Sequence, residues 1–393
     1  MRQTRAHVES GLEVLLATDI PQVAGKRAGL LTNATGIDRR FRSTVDLLQA
    51  HGQVELCALF GPEHGIRGDV QAGVKVAGQV DQRTGLPMYS LYGETRRPNP
   101  EMLTGLDLLI YDMQDLGARY STYIATLQYA QQAAAQAGLT FVVLDRPNPL
   151  GGDRVAGNIL DNAFNSFVGC HPLPIQHGMT SGELARLFAA DYGWPEPLVI
   201  PMRGWWRTMR FEETDLPWVQ PTPNLPTLDS IKLYPGTCLV EGTPCSEGRG
   251  TTRPFELIGA PDLDPFALAE ELDTYQLPGV VFRPTYFTPT FSKHAQQICG
   301  GVQVHIVEPD LLRPVEMGIY LIYALHKLSS APFNWISGAE GKYFIDLLYG
   351  SDALRLALDG GAEVSDILAT WEPALTAFQE RRRPFLLYGA EEE

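Results

Sequence analysis

Short apolar runs alternate with helical patterns between residues 26 and 144 of the chain. Runs of this length that are rich in Val, Leu and Ile are typical of strands buried on both faces of a parallel sheet. Helical patterns occupy residues 43–49 and 121–138, and Gly138 is placed to end the second helix. The predicted strands are residues 26–32, 54–60, 88–91, 107–111 and 139–144. This alternation predicts an α/β fold with a Rossmann-like, mostly parallel sheet.

The pattern changes after Pro147, where Pro and Gly become dense over residues 147–178 and again over residues 217–261. A predicted helix at residues 181–192 separates the two stretches. Both stretches carry Trp, Phe and Leu, which favours ordered loops over flexible linkers.

A second domain is predicted from residue 259 onward, where the segment GAPDLDPF leads into a new helix. Its predicted elements are helices at residues 267–272, 315–328, 341–350 and 365–380 and strands at residues 280–284 and 301–307. The predicted division is a catalytic Rossmann-like domain at residues 1–258 and a smaller α+β domain at residues 259–393.

Composition and charge limit the kinds of binding partner that the protein is expected to have. The 393 residues include 31 Lys and Arg against 46 Asp and Glu, for a formal charge of −15. An acidic surface repels nucleic acid, so no nucleic-acid partner is expected. No run of 18 apolar residues occurs, which predicts no membrane span.

The N-terminal apolar stretch is broken by Glu9, Glu13 and Asp19 and does not resemble an export leader. The sequence as written therefore predicts a cytoplasmic protein, or an exported or periplasmic one if a leader was removed.

Polar residues follow the predicted strands, at the edge where parallel sheets bind ligands. The same residues suit ordinary turns and helix caps, and this alternative stays open. The candidates are Asn33 and Thr35 after the first strand, Glu63, His64 and Arg67 after the second, Asp112, Asp115, Arg119 and Tyr120 after the fourth, and Asp145, Arg146 and Asn148 after the fifth.

Glu63 is the candidate general acid or base. It stands in GPEHG, where Gly61, Pro62 and Gly65 predict a short rigid loop. Burial in a cleft would raise the pKa of this carboxyl toward the working pH. The alternative is that Glu63 caps the next turn. Asp112 and Asp115 are either the second carboxylate of a catalytic pair or charges before the long helix.

A second set of polar residues lies among the Pro- and Gly-rich loops. Asn224, Glu247, Arg249 and Thr252 combine polar side chains with a stiff backbone, which favours fixed hydrogen bonds to a hydroxyl-rich ligand. A purely structural loop is the alternative.

Several signatures of other chemistries do not occur in the sequence. It contains no G-x-G-x-x-G after the first strand, no phosphate-binding G-x-x-x-x-G-K-[ST], no G-x-S-x-G and no H-E-x-x-H. His171 and His177 have no third ligand at a suitable spacing. No metal and no cofactor are therefore expected. Trp205 and Trp206 indicate either a platform for a sugar ring or a pair at the core boundary.

Four long motifs resemble the NamZ-type exo-β-N-acetylmuramidases: FGPEHGIRG, YDMQDLGARYSTY, LDRPNPLGG and VEGTPCSEGRGTTRPFELIGAP. The resemblance runs through essentially the whole chain. It implies a Rossmann-like catalytic domain, a smaller second domain with a cleft between them, and release of terminal non-reducing N-acetylmuramic acid (MurNAc) from peptidoglycan fragments. It also assigns the acid/base role to Glu63 and places the Arg-Tyr of the DLGARY motif at Arg119 and Tyr120.

The implied substrate carries a lactyl carboxylate, which requires a cation in the pocket. The candidates for this cation are Arg67, Arg119, Arg146 and Arg249. Two mechanisms remain open, a substrate-assisted route through the 2-acetamido group and a two-carboxylate route with Asp112, Asp115 or Glu247. The alternative function is a non-catalytic muropeptide or sugar-acid binding protein that uses the same cleft.

Overall fold

A seven-stranded sheet dominates the first part of the computed structural model, which describes residues 5–62, 65–66, 79–93, 95–329, 333–338 and 341–390. The strand order is β3-β4-β2-β1-β5-β6-β9, and every neighbouring pair is parallel except β3 with β4. In chain order these strands are β1 (Arg27–Thr32), β2 (Glu55–Gly61), β3 (Gln79–Val80), β4 (Pro87–Ser90), β5 (Leu108–Asp112) and β6 (Thr140–Leu144), then after a β7–β8 hairpin (Ala156–Ile159 and Pro174–Gln176), β9 (Leu198–Ile200).

Helices cover both faces of this sheet. On one face α1 (Gly11–Ala17) and α2 (Thr44–His51) pack on the strands, and on the other face α3 (Thr122–Ala137) and α4 (Ser181–Tyr192) do so. Strand residues therefore alternate between two apolar cores, with Leu30 in one and Leu31 in the other. Burial on both faces explains why these strands have unbroken apolar sequences.

The second part of the chain builds a three-stranded antiparallel sheet in the order β10-β12-β11, with helices packed against it. The strands are β10 (Leu257–Ala260), β11 (Val280–Phe287) and β12 (Cys299–Ile306). The helices are α5 (Leu228–Thr237), α6 (Pro265–Asp273), α7 (Pro314–Leu328), α8 (Phe344–Tyr349), α9 (Ala353–Asp359), α10 (Val364–Ala369) and α11 (Glu372–Arg382).

The two parts share one apolar core. Leu116, Tyr120 and Ile175 of the first part lie in the same buried cluster as Ile258 and Ile319 of the second. The smaller domain therefore covers the part of the sheet domain that carries Leu116, Tyr120 and Ile175.

The C-terminal segment returns to the first domain. Phe378 of α11 joins the core beside α3 and α4. Beyond the helix, the Leu387 backbone N–H donates to Glu183 Oε1 at 2.8 Å, and Tyr388 Oη donates to Asp145 Oδ2 at 2.5 Å. The end of the chain thus contributes to the carboxyl edge of the sheet.

The predicted fold class is confirmed, and α4 has the predicted bounds. Two predictions were wrong in detail. The stretches 147–178 and 217–261 are not all loop, because the first contains β7 and β8 and the second contains α5 and β10. The single helix predicted at residues 365–380 is two helices, α10 and α11. The division at residue 258 stays a prediction. Among the described residues, no helix is long and apolar enough to cross a membrane.

Candidate active site

The carboxyl ends of β1, β5 and β6 meet around a buried ion pair. Arg146 Nε donates to Asp112 Oδ1 at 2.5 Å, and its Nη2 donates to Asp112 Oδ2 at 3.0 Å. Thr44 Oγ1, at the start of α2, also donates to Asp112 Oδ2. Asp112 is fully buried and both of its oxygens are engaged, so its observed contacts are with the protein itself.

Asn33 and Thr35 form a tight turn directly beside this pair. Asn33 Oδ1 accepts from the Thr35 backbone N–H at 2.9 Å and from Thr35 Oγ1 at 2.6 Å. Thr35 Oγ1 in turn accepts from the Gln114 backbone N–H at 2.9 Å. The buried Asn33 Nδ2 has no hydrogen-bond partner among the described residues. A cavity of about 20 Å³ lies against Thr35, Gln114 and Arg146, which is too small for a sugar.

Asp115 has one carboxylate oxygen that no described residue hydrogen-bonds. Its Oδ2 accepts from the Gly117 backbone N–H at 2.9 Å and lies 3.3 Å from His177 Nε2. His177 Nδ1 accepts from the Met179 backbone N–H at 3.2 Å, so the ring proton is on Nε2, which has no hydrogen-bond partner among the described residues. Asp115 Oδ1 has no partner in the described part of the chain. One oxygen of this carboxylate is therefore fixed by a hydrogen bond, and the other accepts none from the described residues.

Asp145 and Asn148, after β6, hold neighbouring segments together. Asp145 accepts from Thr180 Oγ1 at 2.7 Å and from the Gly182 backbone N–H at 2.9 Å, at the start of α4, in addition to Tyr388. Burial raises the pKa of Asp145 to about 6, although these hydrogen bonds oppose the rise. Asn148 Nδ2 donates to the Met179 carbonyl at 3.0 Å.

Arg119 and Tyr120 are buried against the second domain. The Arg119 guanidinium donates to four backbone carbonyls, two from the first domain and two from the second, at 2.5–2.9 Å. Burial lowers the pKa of this guanidinium to about 10. Tyr120 Oη donates to the Pro235 carbonyl, and burial raises its pKa well above the ordinary value. Both side chains join the two domains.

The loop after α5 carries a charge network. Arg249 Nη2 donates to Glu241 Oε1 at 2.9 Å, and Arg249 Nε lies 3.3 Å from Glu247 Oε1. Lys293 Nζ lies 3.1 Å from Glu247 Oε2. Burial would lower the pKa of Arg249, but the two carboxylates outweigh it and raise that pKa above its ordinary value.

A cavity of about 190 Å³ lies between the domains, beside the loop that follows β5. Aromatic side chains form much of its wall. Its polar lining includes Tyr120, Ser121, Asn224, Glu241 and Arg249.

The structure therefore brings three predicted site residues, Tyr120, Asn224 and Arg249, to one cavity. Glu247 and Thr252 are not among its lining residues, and Thr252 is exposed. Sequence reasoning missed Ser121 and Glu241. One sequence feature could have identified Ser121. This serine stands at the start of the longest predicted helix, and the Thr-Tyr-Ile that follows it places no acidic residue in the first turn.

Glu63, His64 and Arg67 lie outside the described residues. The strand that precedes them, β2, is the neighbour of β1 in the sheet, and its last residue Gly61 is buried. Their roles stay predictions. His171 and His177 have separate partners: His171 Nε2 lies 2.8 Å from Asp191 Oδ2, and His177 faces Asp115. Trp205 is buried against Tyr388, so it is a core residue and not half of an open platform.

Fold and site together define an α/β protein with a Rossmann-like sheet, polar strand ends and a polar inter-domain cavity, an arrangement suited to a small hydroxylated or acidic ligand. Two family models match nearly the whole chain. Residues 28–229 match the N-terminal part of exo-β-N-acetylmuramidase NamZ, and residues 232–388 match its C-terminal part. The chain belongs to the NamZ family of exo-β-N-acetylmuramidases.

Individual relatives agree with this assignment. The curated peptidoglycan β-N-acetylmuramidase NamZ of Bacillus subtilis (strain 168) is 46% identical over 382 residues, which is 97% of this chain and 91% of that protein. A crystal structure of a DUF1343 family protein from Bacteroides fragilis NCTC 9343 superposes with a TM-score of 0.89 at 36% identity and covers 98% of this chain and 100% of its own. A second one from the same organism has a TM-score of 0.76 at 31% identity, with coverages of 98% and 99%.

Proposed function

We propose that this chain is an exo-acting glycoside hydrolase that releases terminal non-reducing MurNAc from peptidoglycan fragments. The observation that carries the proposal is the family match, which spans both domains and is accompanied by 46% identity to a peptidoglycan β-N-acetylmuramidase. The polar cavity between the domains supports it, since an exo-acting enzyme needs a pocket that accepts one end of a glycan.

Glu63 is the proposed general acid. It would protonate the glycosidic oxygen as the bond to the anomeric carbon breaks, and the carboxylate formed would then accept a proton from the attacking water. This assignment rests on the family motif GPEHG and on the position of β2 beside the central strand β1, whose carboxyl end carries Asn33 and Thr35.

Asp115 is the proposed second carboxylate. Asp112 has both oxygens engaged by Arg146 and Thr44, whereas Asp115 Oδ1 has no partner among the described residues. The Gly117 backbone N–H donates to the other oxygen of Asp115, and His177 Nε2 lies 3.3 Å from that oxygen. An oriented carboxylate with one unengaged oxygen can stabilise positive charge that develops on a sugar ring or on its acetamido group.

The test is release of free MurNAc from the disaccharide MurNAc-(1→4)-GlcNAc and from a chromogenic β-MurNAc glycoside, followed by mass spectrometry and absorbance. Glu63→Gln should lower kcat by roughly 100-fold or more, because the amide cannot transfer the proton. Glu55→Gln, at the exposed start of the same strand, is the matched control and should retain wild-type turnover.

Two results would contradict the proposal. Full turnover by Glu63→Gln would show that Glu63 is not the acid/base residue, although the proposed hydrolase activity would stand. A wild-type protein that releases no MurNAc from either substrate, yet gains thermal stability when MurNAc is added, would instead be a binding protein.

A further inference from the structure

The start of α3 faces the inter-domain cavity without the usual capping groups. This helix has 16 residues, no acidic residue in its first turn and no side-chain hydrogen bond at its N-cap, Ser121. In α4, by contrast, Thr180 and Glu183 form a complete capping box. A helix start carries partial positive charge, which favours an anion.

The Ser121 hydroxyl is a second and independent indication of a ligand. Ser121 is only 3% exposed and lines the cavity, yet its Oγ has no hydrogen-bond partner among the described residues. A buried hydroxyl with no partner among the described residues is available to a ligand group that enters the cavity, and such a contact would offset the cost of its burial.

Arg249 adds a cation to the same cavity. Its Nη2 is used by Glu241, and its Nε faces Glu247. Glu241 also lines the cavity, and the charges of Arg249 and Lys293 together balance those of Glu241 and Glu247. The positive end of the helix is added to this balanced network, which leaves the cavity favourable to one small anion.

The cavity volume limits what can enter. About 190 Å³ is below the roughly 300–1,000 Å³ of pockets that enclose a whole drug-sized ligand. The space therefore suits one substituent of a sugar better than a disaccharide. Among the groups of a MurNAc residue, the lactyl carboxylate is the anionic one.

We infer that Ser121 and the first turn of α3, which line the cavity together with Arg249, form the subsite for the substrate's carboxylate and determine specificity for acidic over neutral sugars. This inference rests on the proposed function. Ser121 is a specificity-determining residue that binds the substrate away from the bond that is cleaved.

The test compares MurNAc with its carboxyl methyl ester, which lacks the negative charge and carries one extra methyl group, by isothermal titration calorimetry. Ser121→Asp places a carboxylate at the helix start and should weaken MurNAc binding by roughly 10-fold or more, while the ester binds the variant about as well as it binds wild type. Ser121→Ala should weaken MurNAc binding several-fold. Asp is as good an N-cap as Ser, so the melting temperature of Ser121→Asp should not fall.

Ser166→Ala is the matched control. Its hydroxyl is likewise without a partner among the described residues, but it lines a different groove, so the variant should bind MurNAc as wild type does. Unchanged MurNAc affinity in Ser121→Asp would overturn the inference, and so would equal loss of MurNAc and ester binding.

The results distinguish failure of the carboxylate subsite from failure of the proposed function. A wild-type enzyme that releases MurNAc, together with a Ser121→Asp variant of unchanged KM, would overturn only the carboxylate subsite. A wild-type protein that neither cleaves nor binds MurNAc would contradict both.

Discussion

The buried charged side chains at the sheet edge differ in how completely their polar atoms are engaged. Both oxygens of Asp112 are bonded, whereas Asp115 Oδ1 has no partner among the described residues. A buried ion pair such as Asp112–Arg146 contributes little net stability, but loss of one member costs about 3–5 kcal/mol. Substitution of Asp112 or Arg146 is therefore expected to act mainly on folding, and substitution of Asp115 mainly on turnover.

Asp145 makes the protein's stability depend on pH. Its pKa is raised from the usual 3.8 to about 6 in the folded protein, so the folded state binds this proton more tightly than the unfolded state does. Its contribution to the free energy of unfolding should therefore fall as pH rises from about 4 to 6, by about 3 kcal/mol in total. Urea unfolding at pH 4.5, 5.5 and 6.5 should show this dependence reduced in Asp145→Asn.

Tyr388→Phe provides the control for that experiment. The tyrosine hydroxyl donates to the Asp145 carboxylate and opposes the rise in its pKa, so its removal should move the pH window upward. A stability difference between wild type and Asp145→Asn that stays constant over this pH range would show that Asp145 titrates normally.

The sequence predicted which residue types would meet at the sheet edge, but not how they would be engaged. Asp112, Asp145 and Arg146 do lie at the carboxyl ends of β5 and β6. Their partners Thr44, Thr180 and Tyr388 are remote in sequence, and no local pattern identifies them. The structural role of Arg119 could not be predicted for the same reason, because its carbonyl partners come from both domains.

At the scale of elements, the crossing of α5 and α7 positions one wall of the cavity. The helices touch at Gly236 and Gly318, where a Cβ added to Gly318 would lie 2.4 Å from the Gly236 Cα. Tyr234, in the turn before this crossing, lines the cavity, and the Pro235 carbonyl accepts from Tyr120. The close contact therefore sets the position of the wall.

Gly318→Ala should destabilise the protein by about 1–3 kcal/mol, because the methyl group forces the two backbones apart. In an ordinary helix interior the same change would stabilise by about 1 kcal/mol, so the sign of the effect identifies the crossing. The urea midpoint measures stability, and KM for the β-MurNAc glycoside reports the displaced wall.

Gly138→Ala is a suitable comparison, since Gly138 ends α3 with a φ of 70° and a Cβ there would meet nothing within 4 Å. It should cost about 1 kcal/mol through the backbone alone and leave KM unchanged. A Gly318→Ala protein as stable as wild type would show that α5 and α7 can separate freely.

Elements with a clear periodic pattern were predicted well, and those with an interrupted pattern were not. The central strands β1, β2, β5 and β6 were found within one or two residues because burial on both faces leaves an unbroken apolar run. Helix α5 was missed because it contains Pro235 and Gly236, residues typical of loops. The break between α10 and α11 falls at Thr370 and Trp371, and its sequence signal, Pro373 in the first turn of α11, was overlooked.

At the scale of the whole molecule, the two domains are joined by a common core and by backbone carbonyls gathered around Arg119. Domains with separate cores unfold separately, but here unfolding of the smaller domain exposes Leu116, Tyr120 and Ile175 of the larger one.

The full chain should therefore unfold in one calorimetric transition, with a van't Hoff enthalpy close to the calorimetric enthalpy. Differential scanning calorimetry measures both quantities. Two resolved transitions, or a calorimetric enthalpy about twice the van't Hoff value, would show that the domains are energetically independent.

The packing of residues 378–388 against the first domain affects how that domain folds during synthesis. Phe378 and Tyr388 leave the ribosome well after the strands of the sheet domain, yet one fills the core beside α3 and α4 and the other donates to Asp145 at the end of β6. The nascent sheet domain therefore has an unfilled core and an incomplete hydrogen-bond network until these two residues have emerged. Chains truncated before residue 378 should be recognised by proteases, even though every strand of the sheet domain has been translated.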